Sequence, residues 1–534
     1  MSEKIAKEFY NLKKKFDNGK VYSYENEKKE ILIKGIANSR KQTADAFLDI
    51  FSNLSISNFI VEHPYMDKDY LEDYSNYYAR CYTNYDRFCL RIHFFKSEKN
   101  FHLNDDLFRE NLIQRNENFE NELNSNYQGF MVLRPLGKTI GKTCLKSYKN
   151  DISRNRKYYA KRKYKVHLYG IKLEVDSLAF QEQDEAVAVC ASVALWSAFH
   201  LTGIKNQHKI PSPSIVTKLA LSESSYIKHF PSTGLSAEQI AVAINKVGVT
   251  PVIIRPASNR LAKAFIYAYL KADIPIVCGI SLFDVNNRTK EVVKDSSFHA
   301  VTINGFSFED SFTEVQVKKQ GISLYSSKMT KFFAHDDQMC PFSRMEFQDH
   351  IYFKDKSKLI QPIKTTWEKT EVSDECYNHK FAKIESFIIP LNEKIRITFD
   401  EVFNKTKKIN NDITKLIHIL NKKAEEKGKS KIVLKNYEWD IYLTTINEFK
   451  DNIRNNKTLS KEEKQNLLFK DYPKYLWISR IVKQENIDSD LIVLIEIIFD
   501  ATESKISYIK EVISFKGSFR AISQSGILKE KNYG

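Results

Sequence analysis

Cysteine, histidine and aspartate are the residues whose types and order in this sequence could perform nucleophilic chemistry. Cys190 lies just inside the start of an apolar segment that runs to Leu201, and the lack of a polar face predicts a helix buried within a domain. The thiolate is the attacking form of cysteine, and the positive end of a helix stabilises a negative sulfur in its first turn. Cys190 is therefore a candidate nucleophile. The alternative interpretation is a small apolar core residue.

His299 is the candidate base among the twelve histidines of the chain. It stands at the start of the strand-like segment 298–304, which alternates small or polar residues with apolar ones and runs into Gly305. A nucleophilic cysteine needs a histidine to take and return its proton, and that histidine needs an acceptor to fix its orientation. The alternative is a structural histidine within a strand.

Two carboxylates follow the next strand-like segment, at residues 329–334, and either could orient the histidine. Asp336 is the first choice and Asp337 the second, because a carboxylate at the end of a neighbouring strand could accept the second imidazole hydrogen bond. His335 and the two aspartates also resemble part of a metal site, but no His-x-x-x-His pair or other clustered ligand set accompanies them. We therefore expect neither a metal nor a cofactor.

The elements around these residues predict an α+β fold. Ser236 and Gln239 form a capping-box pattern that begins a helix, and Gly248 is placed to end it. A second helix is expected near 261–271. Strands are expected at 249–254, 274–280, 298–304, 313–318 and 331–334. This order favours an antiparallel sheet packed against the apolar cysteine helix.

The order cysteine, histidine, aspartate, with two glutamines before the cysteine, resembles the papain-like cysteine peptidases. Within them it is most similar to the bacterial double-glycine leader peptidases and their cytoplasmic relatives, over about residues 175–350. The resemblance implies a papain-like core and a triad of Cys190, His299 and Asp336. It also implies an oxyanion hole made by the side chain of Gln183 and the backbone amide of Cys190.

The sequence departs from the family pattern at several positions. Gln183 lies seven residues before Cys190, where the family has six, so Gln181 stays open as an alternative oxyanion donor. Ala191 follows the cysteine, where the family has glycine or tryptophan. The histidine and the aspartate are also farther apart in sequence than in the family. The transporter that accompanies the leader peptidases is absent, so their substrate is not carried over.

Two regions of the chain flank the predicted peptidase-like core. We expect an N-terminal α+β domain over 1–170, with a charged helical start and a basic segment. The papain-like domain is expected at 171–355 and a C-terminal α+β domain at 356–534, where it would serve recognition or regulation. A long helix near 400–428 and strands near 431–443 and 491–499 are the expected elements of the last region.

The chain is basic, with 83 lysines and arginines against 67 acidic residues and a formal charge of +16. The densest basic stretch is segment 146–165, where lysines and arginines are interleaved with tyrosines. This combination could contact phosphates and stack on bases, or it could bind an acidic protein. The alternative is an exposed basic loop with no binding role.

The cysteine usage and the apolar segments predict a soluble, cytoplasmic protein with no membrane attachment. The seven cysteines are scattered and include no C-x-x-C pair, which favours a reducing compartment. The charged N-terminus has no signal-peptide core, and no apolar stretch is long enough to span a membrane.

The sequence thus predicts a cytoplasmic papain-like cysteine peptidase that hydrolyses a peptide or isopeptide bond. A regulated bacterial stress or phage-defence effector is a more specific form of this hypothesis, because much of the chain lies outside the core. The same residues would also support transglutamination or deamidation. The alternative from another class is a basic nucleic-acid-associated or scaffold protein with a catalytically silent core.

Overall fold

The structure of the chain is a computed structural model. The residues it describes are 2–37, 40–98, 101–137, 139–149, 155–184, 190–223, 234–286, 288–308, 322–348, 353–355, 358–368, 379–426, 428, 437–483, 491–505 and 509–515.

A five-stranded antiparallel sheet forms the first part of the chain, with its strands in sequence order and helices inserted between them. Aromatic side chains fill much of its core, and they include several of the clustered tyrosines between residues 65 and 85. The elements are α1 (Ser2–Lys13), β1 (Val21–Ser23), α2 (Asn26–Ala37), α3 (Lys41–Asn53), β2 (Ile56–Tyr65), α4 (Lys68–Asn76), a 3-10 turn (Tyr78–Arg80), β3 (Cys89–Lys96), α5 (Asp105–Gln114), α6 (Glu117–Asn126), β4 (Tyr127–Leu133) and β5 (Ile140–Leu145).

The middle of the chain contains the cysteine helix and most of the second sheet. Its elements are β6 (Asn155–Tyr158), β7 (Arg162–Leu168), β8 (Ile171–Ser177), α7 (Cys190–Asn206), α8 (Pro213–Leu221), α9 (Ala237–Lys246), β9 (Thr250–Ile254), α10 (Asn259–Leu270), β10 (Ile276–Val285), β11 (Val292–Phe308), a 3-10 turn (Tyr325–Lys328), β12 (Met329–Asp336), β13 (Cys340–Phe347), β14 (Phe353–Asp355), β15 (Lys358–Ile360), β16 (Ile363–Glu368) and β17 (His379–Leu391).

Six of these strands close into an antiparallel barrel. They follow the order β10, β11, β12, β13, β16, β17, and β17 pairs back with β10. β6 adds to the barrel beside β11, and β9 adds beside β17. The chain passes close to itself at Gly305, where a Cβ atom would lie 2.7 Å from the carbonyl oxygen of Lys157 in β6. Glycine at this position therefore permits the pairing between β6 and β11.

The last part of the chain forms a four-stranded antiparallel sheet with three helices. The sheet follows the order β18, β19, β20, β21. Its core is continuous with that of the barrel through α10 and α11. The elements are α11 (Phe399–Glu426), β18 (Glu438–Thr445), α12 (Ile446–Asn455), α13 (Lys461–Phe469), β19 (Tyr475–Lys483), β20 (Ile492–Asp500) and β21 (Glu511–Ser514).

The α+β class predicted from the sequence is confirmed. The predicted strands at 249–254, 274–280, 298–304 and 331–334 correspond to β9, β10, β11 and β12. The predicted strand at 313–318 lies outside the described residues. β11 is longer than predicted, because it pairs with β10 almost to the turn between them, so His299 lies within the strand and not at its start.

The pairing of strands crosses both predicted domain boundaries. β16 and β17 follow residue 355, yet they supply two of the six barrel strands. β6 precedes residue 170, yet it pairs with β11. Strand pairing joins residues that are far apart in sequence. The local composition, from which the domain boundaries were predicted, carries no information about such pairing.

The cysteine helix α7 is buried because nearly every side of it contacts protein. Ala191 to Gly203 are all buried. Two hydrogen bonds fix the helix in place: Thr302 Oγ1 of β11 donates to the carbonyl oxygen of Ala194 at 2.6 Å, and Ser197 Oγ donates to that of Ala179 at 2.7 Å. A helix without a polar face is expected in such a position.

The segment that leads into α7 is held by the N-terminal sheet. Glu182 is buried and forms an ion pair with Arg40. Its backbone pairs with Ile140, and Arg134 Nη2 donates to its carbonyl oxygen at 2.9 Å. The Tyr78 hydroxyl donates to Asp184. The N-terminal sheet therefore sets the path of the chain as it approaches Cys190.

Among the described residues, no helix is both long enough and apolar enough to cross a membrane.

A buried charge cluster supports the C-terminal sheet. Asp440, Arg480 and Glu496 face one another on β18, β19 and β20. Arg480 Nε donates to Asp440 Oδ2 at 2.9 Å, and its Nη1 lies 3.6 Å from Glu496 Oε2. Burial lowers the pKa of Arg480, but Tyr442 and these two carboxylates outweigh it and hold the pKa well above its usual value.

We expect Arg480→Met to destabilise this sheet strongly. The substitution leaves two buried carboxylates without their cation, and breaking a buried ion pair costs about 3–5 kcal/mol. Urea unfolding followed by tryptophan fluorescence measures the loss, because Trp439 and Trp477 lie in the same sheet. Arg454→Met is the matched control, since its pair with Asp451 is exposed and should contribute little. Equal effects of the two substitutions would contradict the prediction.

Candidate active site

The side chains of His299 and Asp336 are in contact between two adjacent strands of the barrel, β11 and β12. His299 Nε2 lies 2.9 Å from Asp336 Oδ1 and 3.5 Å from Asp337 Oδ1. All three side chains are buried. Only the first distance corresponds to a good hydrogen bond, so Asp336 is the closer partner of the imidazole, as expected from the sequence.

The pairing of β11 with β12 produces this contact. Thr302 faces His335 in the antiparallel register, which brings the end of β12 next to the part of β11 that carries His299. The backbone amide of Gln338 donates to Asp336 Oδ1 at 3.1 Å. The turn after β12 therefore helps to hold the carboxylate in place.

Cys190 is the first described residue of α7, and its side chain is half-buried. Its thiol lies close enough to the imidazole to contribute to the pKa of His299. Nδ1 of His299 is buried and receives no well-oriented hydrogen bond from a described residue. The nitrogen that faces away from Asp336 is therefore available for a proton exchange with the neighbouring sulfur. Residues 185–189, which precede the helix, lie outside the described part of the chain.

The charges of the site favour a protonated imidazole beside an ionised carboxylate. Burial lowers the pKa of His299, but the Asp336 carboxylate, its hydrogen bond, the Cys190 thiol and Asp337 raise it well above its usual value. Burial raises the pKa of Asp336, yet the nearby imidazole and the hydrogen bonds to Asp336 lower it overall. Each group thus stabilises the charged form of the other.

Trp367 is a member of the site that the sequence did not reveal. Its Nε1 donates to Asp336 Oδ2 at 2.7 Å, and its ring meets the His299 ring edge-on with centroids 5.5 Å apart. Trp367 lies on β16, beyond the predicted end of the core domain. No local motif marks it, because only the closure of the barrel brings β16 to this position.

The two candidate oxyanion glutamines occupy different environments. Gln181 is buried, and its Nε2 has no hydrogen-bond partner among the described residues. It lines a narrow cavity between α7 and the barrel together with Ser197 and Thr302. Gln183 is half-buried and nearer to the helix start. No described contact joins either amide to Cys190, so the choice of Gln183 over Gln181 stays a prediction.

The other described cysteines differ from Cys190 in accessibility. Cys89, Cys144, Cys278 and Cys340 are buried, and burial raises the pKa of each of them. Cys81 is half-buried, like Cys190, but its sulfur contacts a backbone carbonyl oxygen, that of Tyr77. Cys190 is therefore distinguished from the rest of the described cysteines by combining partial exposure with a histidine neighbour.

A metal ion is an alternative occupant of the same cluster. Ligand atoms of His299, Asp336 and Asp337 lie within 4.8 Å of one another, a set that suits a divalent cation. The two oxygens of Asp336, however, already accept hydrogen bonds from His299, Gln338 and Trp367. A cation would have to displace at least part of this arrangement.

The two described arginines of the basic segment 146–165 are built into the fold. Arg156 is buried, donates to the Lys149 carbonyl oxygen at 2.9 Å and stacks on Tyr148. Arg162 donates to the His200 carbonyl oxygen at 2.7 Å and stacks on Tyr164, which is also buried. These two arginines and their tyrosines support the structure. The segment also carries exposed lysines, at positions 149, 161, 163 and 165, so its binding of a nucleic acid or an acidic protein stays a prediction.

No protein-family model matches the chain, and no curated protein is detectably similar to it in sequence. The assignment of a function therefore rests on the geometry of the site.

The charge pair predicts how stability depends on pH. A raised histidine pKa adds stability in full below the unfolded value of about 6.5, and this is lost as the pH rises through the folded value. A lowered aspartate pKa adds stability above its unfolded value of about 3.9, and this is lost as the pH falls. The pair should therefore stabilise the fold most between about pH 4 and 6.5.

We expect Asp336→Asn to lower the thermal midpoint by several degrees in this pH window. The difference from the unmodified protein should shrink as the pH is raised, as measured by calorimetry over a pH series. Asp337→Asn is the matched control and should have a smaller effect, because its carboxylate is farther from the imidazole. A difference that grows with rising pH would contradict the assigned charge states.

Proposed function

We propose that this protein is a cysteine-dependent hydrolase that cleaves a peptide or isopeptide bond. Cys190 is the nucleophile, His299 the base and then the acid, and Asp336 the orienting group. The observation that carries the proposal is the position of His299, a buried imidazole that is hydrogen-bonded to the Asp336 carboxylate and lies close enough to the Cys190 thiol for the thiol to raise its pKa. A nucleophile, a base and an orienter in contact are the signature of this type of catalysis.

The architecture around these residues supports a papain-like core. The nucleophile begins a buried helix, and the base and the carboxylate lie on a closed antiparallel barrel that packs against that helix. The resemblance to the papain-like peptidases implied a cysteine helix packed on an antiparallel sheet, and the barrel is a closed form of such a sheet. The barrel extends past residue 355, so the core is larger than the segment on which the resemblance was based.

The proposed reaction has two stages. His299 takes the thiol proton, and the sulfur of Cys190 attacks the carbonyl carbon to form a tetrahedral intermediate. His299 then returns the proton to the leaving amine, which leaves an acyl-enzyme, and a water molecule activated by the same imidazole hydrolyses the thioester. The backbone amide of Cys190 and the side chain of Gln183 are the proposed oxyanion donors, and Gln181 is the alternative.

The same constellation of residues would also support two related reactions at an acyl carbon. If an amine replaces water in the second stage, the same residues would perform transglutamination, and an amide side chain as substrate would give deamidation.

The flanking regions fit a regulated enzyme. The N-terminal sheet holds Glu182 and Asp184, which lie just before the cysteine helix, so a displacement of that sheet would move the approach to Cys190. This arrangement supports the narrower proposal of a cytoplasmic stress or defence effector whose activity depends on a signal. A scaffold with a silent core is the competing proposal, and the reactivity of Cys190 separates the two.

Metal-dependent hydrolysis is the second candidate, and the cluster of His299 with Asp336 and Asp337 favours it. Hydrolysis that survives in Cys190→Ala but is lost after treatment with a chelator would favour the metal. Hydrolysis that requires Cys190 and withstands the chelator would favour the thiol.

Labelling with a thiol-directed epoxide probe tests the proposed nucleophile. We expect Cys190 to be modified preferentially, as mapped by mass spectrometry of the full-length protein. His299→Ala should slow the modification by about 100-fold, because the positioned base is lost. Cys81 is the internal control, since it is similarly exposed but has no described histidine partner. Equal labelling of Cys81 and Cys190 would refute the proposed site.

We expect Trp367→Phe to reduce the rate of Cys190 labelling by about tenfold, because the variant loses a hydrogen bond to a charged acceptor worth ~1.5–3 kcal/mol. The phenyl ring retains the contact with His299, so the loss reports on the hydrogen bond. The bond helps to lower the pKa of Asp336, so the acidic limb of the pH profile should move to higher pH.

Trp439→Phe is the control for this substitution. It removes a similar indole hydrogen bond, from Trp439 Nε1 to Asn410 Oδ1 at 2.9 Å, in the C-terminal part of the fold. We expect no change in the labelling rate or in the pH profile for this variant. If both variants lowered the rate without a pH shift, Trp367 would have a general structural role.

A further inference from the structure

A groove on the surface of the N-terminal region combines an apolar floor with a positively charged rim. It has a volume of about 360 Å³ and lies between α2 and α3, away from the cysteine site. Its floor is formed by Ile33 of α2 and by Ala44 and Leu48 of α3, all of which are half-buried. On each helix the lining residues recur at helical spacing, so one face of each helix faces the groove.

The rim is strongly cationic. Lys29 and Lys34 of α2 and Lys41 of α3 line the groove, and none of them forms an ion pair with a described residue. Glu30 is the one acidic residue among the described residues that line the groove. Lys29 lies over the ring of Tyr24, with Nζ 5.4 Å from its centroid, which fixes one side of the rim. Lys34 and Lys41 are exposed, one on each helix.

We propose that this groove binds an anionic amphiphile, a small molecule in which a phosphate or carboxylate is attached to an apolar chain. The lysines at the rim would bind the anionic group, since clustered cations that form no ion pair with a described residue suit a negative ligand. The apolar chain would cover Ile33, Ala44 and Leu48, which are otherwise left partly open to solvent. An inorganic anion would use only the rim, and a neutral lipid only the floor.

The groove is connected to the segment that precedes the cysteine helix. Arg40 lies at the start of α3 and lines the groove, and its guanidinium pairs with the buried Glu182. A ligand at this position would therefore lie next to a side chain that contacts both the groove and the approach to Cys190. The proposed binding does not depend on whether Cys190 is catalytic.

Titration calorimetry with dodecyl phosphate tests the proposal on the full-length protein. The probe is kept below the concentration at which it forms micelles, and inorganic phosphate and dodecanol are titrated in parallel. We expect saturable binding of one dodecyl phosphate per chain and at least about tenfold weaker binding of each half-probe, because each retains only one of the two sets of contacts.

The double variant Lys34→Glu with Lys41→Glu should weaken dodecyl phosphate binding by about tenfold or more, because it reverses two charges of the rim. Both lysines are exposed, so the fold should be preserved, and calorimetric unfolding verifies this. Lys415→Glu with Lys422→Glu is the matched control, with the same charge change on an exposed face of α11. The control should bind as the unmodified protein does.

Leu48→Gln provides a separate test of the floor and should weaken binding of dodecyl phosphate without affecting inorganic phosphate. The proposal would be overturned by an absence of saturable binding, by equal affinities for dodecyl phosphate and inorganic phosphate, or by equal effects of the rim and control variants. Binding to vesicles of anionic lipid in the absence of any binding to the monomeric probe would also overturn it, and would identify a membrane-docking face.

Discussion

The buried hydrogen bond between His299 and Asp336 is the constraint around which the site is organised. An imidazole enclosed by protein loses the water that would stabilise its positive charge, so it keeps that charge only if a carboxylate compensates. The buried carboxylate likewise loses its hydration, and hydrogen bonds from the imidazole, the Gln338 amide and the Trp367 indole compensate for that loss. The resulting set of partners occupies Nε2 of the histidine and leaves Nδ1 without a hydrogen bond from a described residue.

This constraint explains why such distant parts of the chain must meet. The sulfur comes from a helix whose approach is held by the N-terminal sheet, and the histidine and the carboxylate come from adjacent strands. The indole comes from a strand on the opposite side of the predicted domain boundary. The indole makes two contacts there, a hydrogen bond to Asp336 and an edge-on contact with the His299 ring. The flanking regions are therefore part of the structure that shapes the site.

Local sequence patterns predicted much of this architecture. The apolar run after Cys190 predicted α7, and the alternation around His299 predicted β11, because both patterns depend on neighbouring residues. The position of Asp336 beside His299 was also expected, since antiparallel neighbours bring strand ends together. Trp367 could not be predicted in the same way. Its contact depends on the closure of the barrel, and closure is a property of pairings between residues far apart in sequence.

The closed barrel has a consequence for the synthesis of the protein. The sulfur belongs to a residue made early, at position 190, whereas the last strand of the barrel ends at Leu391. A ribosome-bound chain that has exposed the helix, the histidine and the aspartate still lacks the indole that supports the carboxylate and the strand that completes the ring. The closed ring of strands, and with it the full set of hydrogen bonds to Asp336, can therefore form only after the chain has been made as far as Leu391.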